Sequence, residues 1–369
     1  MSAVRIPFID LRGGEDEEGV RTAIARVIHA GWFVLGPEVE AFEHEFAAAS
    51  GVDIAVGVGN GTDAIALILR ALGIGAGDEV IVPALTAAYT GLAVLMVGAR
   101  PVFADVEADR LTLDPEVCAA LITPRTAAIV PVHLYGQPAD LERLVGVAAR
   151  HGLPIVEDCC QAHLATSHGR PVGGFGVAGA FSFYPTKNLG AMGDAGAVVT
   201  SDAALAERVR RLRHGGQADR YRHVDAGVNS RLDELQAAVL RARLPYLRAW
   251  NERRRTLAAQ YTAMLSGTSA APVPQHDPGH VYHLFPVRSS GRDALQTYLR
   301  SAGIETLIHY PVPLPGQEAF AAYAPVECPR STRAASELLS LPLHPRLTDG
   351  DVRAVAETVG AFEKGRALA

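Results

Sequence analysis

Residues 181–196 read Phe-Ser-Phe-Tyr-Pro-Thr-Lys-Asn-Leu-Gly-Ala-Met-Gly-Asp-Ala-Gly, an aromatic run followed by a glycine-rich loop. The loop contains Lys187, and the 34 basic residues of the chain include only one other lysine, Lys364. An arginine stays protonated, whereas a lysine can lose its proton and act as a nucleophile. A codon bias towards arginine explains why lysines are rare, but not why one lies in this loop. We therefore take Lys187 as a candidate reactive amine.

The composition is that of a globular protein of about two domains. The chain has 369 residues, of which 49% are hydrophobic and 20% charged, and a net charge of −6. That charge gives no general attraction for nucleic acid, so a local cluster must hold any anionic ligand. We expect no signal peptide and no membrane-spanning segment. The four cysteines are not spaced as metal ligands, so we predict no metal site and a reducing, cytoplasmic location.

The spacing of apolar residues changes from Asp53 onward. From there to residue 157, short apolar runs alternate with helical runs, which is typical of a parallel sheet covered by helices on both faces. Two more strands are predicted over 180–184 and 196–200. Ser230-Arg-Leu-Asp233 fits a capping box that would open a helix, and this helix must bend near Pro245. We predict a large domain over residues 1–245 and a small α/β domain over residues 246–369.

Residues 57–64 read Gly-Val-Gly-Asn-Gly-Thr-Asp-Ala, directly after the first predicted strand and at the start of a helix. Glycines let the backbone approach a ligand closely, and a helix N-terminus attracts anions, so this segment is a candidate phosphate site. The spacing also fits a dinucleotide-binding fingerprint. That alternative needs an acid at the end of the second strand, whereas Asp78 and Glu79 precede it. An ordinary strand–helix turn is the other alternative.

The pair Glu157-Asp158 ends a predicted buried strand, at the edge where open α/β sheets bind ligands. A carboxylate there needs a cation or hydrogen bonds, and a protonated pyridine nitrogen would serve. A carboxylate that merely caps the next helix is the alternative. A phosphate cradle, a strand-end Asp and a loop Lys, each after a different strand, together match the requirements of pyridoxal phosphate.

Five ordered motifs carry a resemblance to a known family. They are Gly59-Asn-Gly-Thr-Asp-Ala64, Pro131-Val-His-Leu-Tyr-Gly-Gln-Pro-Ala-Asp140, Glu157-Asp-Cys-Cys-Gln-Ala-His163, Ser182-Phe-Tyr-Pro-Thr-Lys-Asn-Leu-Gly190 and Asn229-Ser-Arg-Leu-Asp-Glu-Leu-Gln-Ala-Ala238. Through them, and over nearly its whole length, the chain resembles the DegT/StrS-type sugar aminotransferases of the aspartate aminotransferase superfamily. The resemblance implies a large domain with a mostly parallel seven-stranded sheet, a small C-terminal α/β domain, and a homodimer with shared active sites.

The resemblance also assigns the cofactor residues. Lys187 would bind pyridoxal phosphate as a Schiff base and move a proton, Asp158 would pair with its ring nitrogen, and Gln161 would contact its ring hydroxyl. The phosphate would be held by Gly61, Thr62, Ser182 and, from the partner subunit, Asn229. Relatives that are dehydratases carry His in place of the Lys, so Lys187 argues against that activity.

The substrate residues follow less directly. The loop after Lys187 resembles the branch of the family that acts on 3-keto nucleotide sugars, and Tyr184, His309 and Tyr310 lie where that branch contacts sugar. Two arginines of the polar segment 214–229, Arg220 and Arg222, are available for the phosphates of the substrate, because a guanidinium suits a pair of oxygens.

The chain departs from the family where an aromatic residue usually stacks on the cofactor ring. Ala87 follows Thr86 here, and the nearest aromatic is Tyr89, to which we assign the stacking role. The predicted function is transfer of an amino group from an amino acid, glutamate, to a keto-deoxysugar nucleotide. A keto-cyclitol aminotransferase and a pyridoxal-phosphate-binding regulator without turnover remain alternatives.

Overall fold

The structure is a computed structural model that describes residues 5–323 and 327–367, with side chains up to residue 363. The helices are α1 (Glu17–Ala30), α2 (Pro37–Ser50), α3 (Gly61–Ala71), α4 (Ala88–Met96), α5 (Pro115–Ala120), α6 (Leu141–His151), α7 (Ala203–Arg213), α8 (Glu234–Arg243), α9 (Leu247–Met264), α10 (Arg292–Ser301), α11 (Pro329–Glu337) and α12 (Asp349–Ala367). The strands are β1 (Ile54–Val58), β2 (Glu79–Pro83), β3 (Arg100–Ala104), β4 (Thr126–Ile129), β5 (Val156–Asp158), β6 (Thr166–Ser167), β7 (Arg170–Pro171), β8 (Ala178–Ser182), β9 (Gly196–Thr200), β10 (Gln217–Asp219), β11 (Arg222–His223), β12 (Ala271–Pro272), β13 (Phe285–Arg288) and β14 (Leu338–Leu341).

The strands of the first half form a four-stranded sheet in the order β1-β9-β8-β5 and a three-stranded parallel sheet in the order β3-β2-β4. Two isolated parallel bridges, Ile129–Ile155 and Val132–Asp158, connect the facing edges of these sheets. The strands β5 and β8 are parallel, but β9 is antiparallel to both β1 and β8. The prediction of a single, mostly parallel seven-stranded sheet is therefore not confirmed in this detail, whereas the α/β character is.

Helices cover both faces of the four-stranded sheet. On one face, eight of the eleven residues of α3 are buried, and its apolar residues form a cluster with residues of β1, β8 and β9. On the other face, Phe46 of α2 packs edge-on against Phe181 and Phe183, with ring centroids 5.0 and 5.1 Å apart. Because both faces are packed, the ends of the strands are where the polar side chains of this sheet can meet a ligand.

The C-terminal part has a core of its own. The chain leaves α8 through a 3₁₀ turn at Leu244–Tyr246, which confirms the predicted bend, and continues into α9. The antiparallel strands β12, β13 and β14 pack with α9, α10 and α12. Ile6 belongs to this core and pairs with Ile304, so the N-terminal segment packs on the C-terminal part. The boundary at residue 245 stays a prediction. Among the described residues, no helix combines the length and apolar character needed to cross a membrane.

Candidate active site

The start of α3 and the end of β8 form a tight cradle, which we define by Gly61, Thr62 and Ser182. A Cβ atom on Gly61 would lie 2.7 Å from the Cβ of Ser182 and 2.7 Å from the Sγ of Cys160, so the backbone approach requires glycine. Asn60 caps the helix by accepting a hydrogen bond from the Asp63 amide at 2.8 Å. The N–H groups of the first helical turn and the Ser182 hydroxyl together suit a phosphate group.

Gly61→Ala should weaken the binding of pyridoxal phosphate at least ~10-fold, because the added methyl forces the cradle open, and tenfold corresponds to about 1.4 kcal/mol. Fluorescence titration of the cofactor-free protein measures this. Gly146→Ala in α6 is the matched control, since its Cβ would approach nothing closer than Arg150 Nη1 at 3.8 Å. Equal cofactor affinity of the two variants would contradict the assignment of the cradle.

Ser230 supports this cradle instead of capping a helix. Its hydroxyl donates to Asp63 Oδ2 at 2.6 Å and accepts from the Gly59 amide at 3.0 Å. Helix α8 begins only at Glu234, and its N-cap residue Asp233 makes no side-chain capping bond. The predicted capping box is therefore wrong, because the serine hydroxyl is engaged in a tertiary contact with the loop between β1 and α3.

The two acids at the end of β5 have different surroundings. Glu157 is fully buried, and its carboxylate accepts hydrogen bonds from three backbone amides, those of Gly173, Phe175 and Gly176, and contacts His133 Nε2 at 3.1 Å. His133 Nδ1 accepts from the Ala139 amide, so Nε2 carries the proton and donates to Glu157. Glu157 is thus saturated by the fold, and we assign it a structural role.

Asp158 keeps free acceptor capacity. Its Oδ2 accepts a hydrogen bond from the Thr90 hydroxyl at 2.8 Å, and its Oδ1 accepts from the Cys160 amide at 3.1 Å. A carboxylate offers about four lone pairs, so each oxygen can accept another bond. Two hydrogen bonds from the protein also fix the orientation of the group. Asp158 therefore fits the partner of a protonated ring nitrogen.

Gln161 is oriented by its neighbours. Its Oε1 accepts from the Tyr135 amide at 2.7 Å, which identifies the oxygen end, and its Nε2 donates to the Tyr310 hydroxyl at 2.7 Å. One Nε2 hydrogen is left for a ligand. The structure thus joins two predicted residues, Gln161 for the cofactor and Tyr310 for the sugar. Beside them, His309 Nδ1 lies 2.8 Å from the Ser340 hydroxyl.

Lys187 lies half-buried in the loop between β8 and β9. Burial lowers the pKa of its amine, against the opposing effects of Cys160 and Asp158, which raise it. Burial and the Lys187 charge lower the pKa of His163 to about 3 and that of His309 to about 4. Both imidazoles are therefore neutral at physiological pH, and the lysine amine is a group that can lose its proton more easily than usual.

Other predicted residues lie at the surface. Tyr89 is in the first turn of α4 and is 65% exposed, and Tyr184 is also exposed. Arg222 forms an ion pair with Asp219 at 2.9 Å, on the β10–β11 hairpin. The Arg220 guanidinium lies 5.2 Å from the ring of Tyr221, and Asn229 is exposed where the chain pairs with His214. The stacking role of Tyr89 and the substrate roles of the arginines stay predictions.

The sequence interpretation missed Thr90 and Tyr135, which hold Asp158 and Gln161 in place. The Tyr135 backbone has a left-handed conformation, with φ of 60°, which is uncommon for a tyrosine. Only the position of Tyr135 inside a recognised motif pointed to it. Thr90 offered no comparable signal, because its role depends on a contact across 68 residues.

The model of the DegT/DnrJ/EryC1/StrS aminotransferase family matches residues 15–360. The chain belongs to this family. It is 52% identical over 349 residues to the dTDP-3-amino-3,4,6-trideoxy-alpha-D-glucose transaminase of Streptomyces venezuelae, covering 93% of this chain and 92% of that protein. The enzyme is therefore an aminotransferase, and family members use pyridoxal phosphate.

Two solved structures are similar to nearly the whole of this chain. The S. venezuelae enzyme DesV, in complex with a ketimine intermediate, superimposes with a TM-score of 0.94 at 49% identity, covering 98% of this chain and 99% of that chain. The Bacillus subtilis protein NtdA, with bound cofactor PMP, gives a TM-score of 0.92 at 31% identity, covering 99% and 86%. The Gly61 cradle, the free acceptor capacity of Asp158 and the loop amine of Lys187 fit this cofactor in the present chain.

Proposed function

We propose that this aminotransferase transfers the amino group of L-glutamate to a keto-deoxysugar nucleotide whose keto group is at C3. The observation that carries the proposal is the set formed by the Gly61 cradle, the free acceptor capacity of Asp158 and the Lys187 amine, whose pKa burial lowers against the opposing effects of Cys160 and Asp158. The substrate class is supported by the relative that acts on a dTDP-3-amino sugar, at 52% identity. The assignment of the amino donor and of the C3 position follows the sequence resemblance.

Bound pyridoxal phosphate would supply an aldehyde that condenses with amines and a ring that accepts electrons when its nitrogen is protonated. Lys187 would bind it through Nζ and move a proton, and Asp158 would hold the proton on the ring nitrogen. Gln161 would donate its free Nε2 hydrogen to the ring hydroxyl. Gly61, Thr62 and Ser182 would bind the phosphate. His309 and Tyr310, which adjoin Gln161, would orient the sugar.

The exposed aromatic residues support a homodimer. Trp32, Phe33 and Val34 are adjacent in the chain and 58%, 49% and 39% exposed, and a contiguous exposed apolar patch often marks an interface with a partner. Tyr221 lies on the hairpin that also carries Arg220 and Arg222, and Asn229 follows this hairpin. In a twofold dimer, this segment of each chain would enter the active site of the other. The shared site is part of the proposal.

The test is a half-reaction followed by a substrate panel. Glutamate added to the cofactor-loaded protein should convert the yellow pyridoxal form to the pyridoxamine form, measured by absorbance. A panel of 3-keto and 4-keto nucleotide sugars and a keto-cyclitol should then restore the yellow form only with the 3-keto nucleotide sugars. If only the keto-cyclitol restores the yellow form, the substrate is a keto-cyclitol and not a nucleotide sugar. If glutamate produces no pyridoxamine form, the protein is better explained as a regulator without turnover.

Mixing Lys187→Ala with Asn229→Ala should restore activity if Asn229 serves the partner's site. In a mixed dimer, one site carries both changes and the other carries neither. Random exchange makes about half of the dimers mixed, so the mixture should reach about a quarter of the wild-type rate. Native mass spectrometry of tagged subunits confirms exchange. If exchange occurs and the rate stays at that of the separate variants, Asn229 serves its own chain.

A further inference from the structure

A buried polar network begins at the residue next to Lys187. Asn188 donates from Nδ2 to Asn251 Oδ1 at 2.9 Å and to the Val281 carbonyl at 3.0 Å. Its Oδ1 lies 3.2 Å from His283 Nδ1. Asn251, on α9, donates from Nδ2 to the His163 carbonyl at 2.9 Å. We call these residues the asparagine network.

The orientation of both amides is fixed by backbone carbonyls. The Val281 carbonyl must face the Asn188 Nδ2 group, and the His163 carbonyl must face the Asn251 Nδ2 group. His283 therefore donates from Nδ1 to Asn188 Oδ1. Asn188 and Asn251 are only 4% and 2% exposed. Since both hydrogens of the Asn188 amide and its oxygen are bonded, the network is rigid.

The network ties Lys187 to two other parts of the site. The His163 carbonyl belongs to the segment that follows Asp158 and Gln161, and His163 Nε2 donates to the carbonyl of Ser182 at 2.9 Å. On the other side, α9 holds the segment of His283, because Arg254 Nη1 donates to the carbonyls of Tyr282, His283 and Leu343. The lysine loop is thus fixed between the cofactor residues and the C-terminal part.

We propose that Asn188 and Asn251 are positioning residues that hold the loop of Lys187, and with it the amine, in place. The inference rests on the proposed role of Lys187 as the cofactor-binding amine. A displacement of about 1 Å at a reacting group can cost ~10²-fold in rate, so a loop held only by its ends would lower kcat. The network leaves the cradle of Gly61, Thr62 and Ser182 free to bind phosphate.

The test measures the titration of Lys187 in the full-length, cofactor-free chain. Trace acetylation at a series of pH values, with a lysine-containing reference peptide added, gives the titration midpoint of each amine by mass spectrometry. Only two peptides of the chain contain lysine, those of Lys187 and Lys364. Burial has the largest effect on the pKa of Lys187 and lowers it. The charges of Cys160 and Asp158 raise this pKa. Burial, and after it the Lys187 charge, lowers the pKa of His163, His283 and His309.

In the wild type, we expect the Lys187 midpoint below that of the reference peptide. In Asn188→Ala, the released amine gains water, and its midpoint should rise towards the reference. Ser331→Ala is the matched control, because the fully buried Ser331 donates to Asp105 at 2.6 Å, apart from this network. The control should lose stability and leave the Lys187 midpoint unchanged.

An unchanged Lys187 midpoint in folded Asn188→Ala, or an equal shift in Ser331→Ala, would overturn the positioning role. If Asn188→Ala does not fold, the Lys187 midpoint is measured in Asn251→Ser instead, and the same outcomes support or overturn the positioning role. In the loaded enzyme, kcat should fall ~10²-fold with little change in the KM for glutamate. If the wild type shows no half-reaction, the proposed function fails. The titration midpoint of Lys187 still shows whether the asparagine network positions the amine.

Discussion

Lys187→Ala should lower kcat at least ~10⁵-fold, which corresponds to about 7 kcal/mol of barrier. The variant removes the Lys187 amine, whose pKa is lowered by burial. The same amine attaches the cofactor and carries the proton, so its loss lowers the rate of the reaction in two ways. Steady-state turnover measures the loss. Borohydride should fix the cofactor to the Lys187 peptide of the wild type and to no peptide of the variant.

Lys187→Arg separates the charge from the amine. Arginine keeps the positive charge at this position but does not deprotonate, so this variant should be about as inactive as Lys187→Ala. Both variants keep Lys364, the other lysine of the chain. Activity of Lys187→Arg within tenfold of the wild type would mean that the charge suffices, and label recovered only on Lys364 would place the cofactor elsewhere.

The alternation of strands and helices was predictable because a parallel sheet buried on both faces leaves runs of apolar residues. The direction of β9 was not. A parallel neighbour needs a crossover connection, whereas β8 and β9 are joined by the loop of Lys187 without a helix, which allows antiparallel pairing. The pattern of apolar residues is the same in both cases. The connection, not the strand, sets the direction.

The site residues at the ends of strands were predictable for a similar reason. Gly61 and Lys187 follow strands and Asp158 ends one, and the ends of parallel strands meet at one edge of a sheet. Thr90 and Ser230 have roles that depend on contacts across 68 and 167 residues. The sequence shows the same serine or threonine whether its hydroxyl caps a helix or forms a hydrogen bond with a distant carboxylate. The local pattern at Ser230 therefore predicted a cap, and the tertiary contact prevailed.

Asp158→Asn should retain the fold and lower kcat ~10³-fold, about 4 kcal/mol of barrier. A neutral amide cannot hold the proton on the ring nitrogen, and the ring then accepts electrons poorly. If the Asn oxygen accepts from the Cys160 amide, its Nδ2 group can donate to the Thr90 hydroxyl, so both contacts of the side chain are kept. Single-turnover kinetics with glutamate measure the chemical step. A rate within a few-fold of the wild type would show that Asp158 is not the partner of the ring.

Glu157→Gln is the matched control, one residue earlier on the same strand. This carboxylate accepts three backbone amide hydrogen bonds and the His133 proton, so its replacement leaves buried donors without an ionised acceptor. We expect the free energy of unfolding to fall by about 1–3 kcal/mol, measured by urea denaturation, while kcat stays within a few-fold of the wild type. The two substitutions then have different effects: Asp158→Asn lowers turnover, and Glu157→Gln lowers stability. If Glu157→Gln instead lost ~10³-fold in kcat and Asp158→Asn did not, the roles of the two carboxylates would be exchanged.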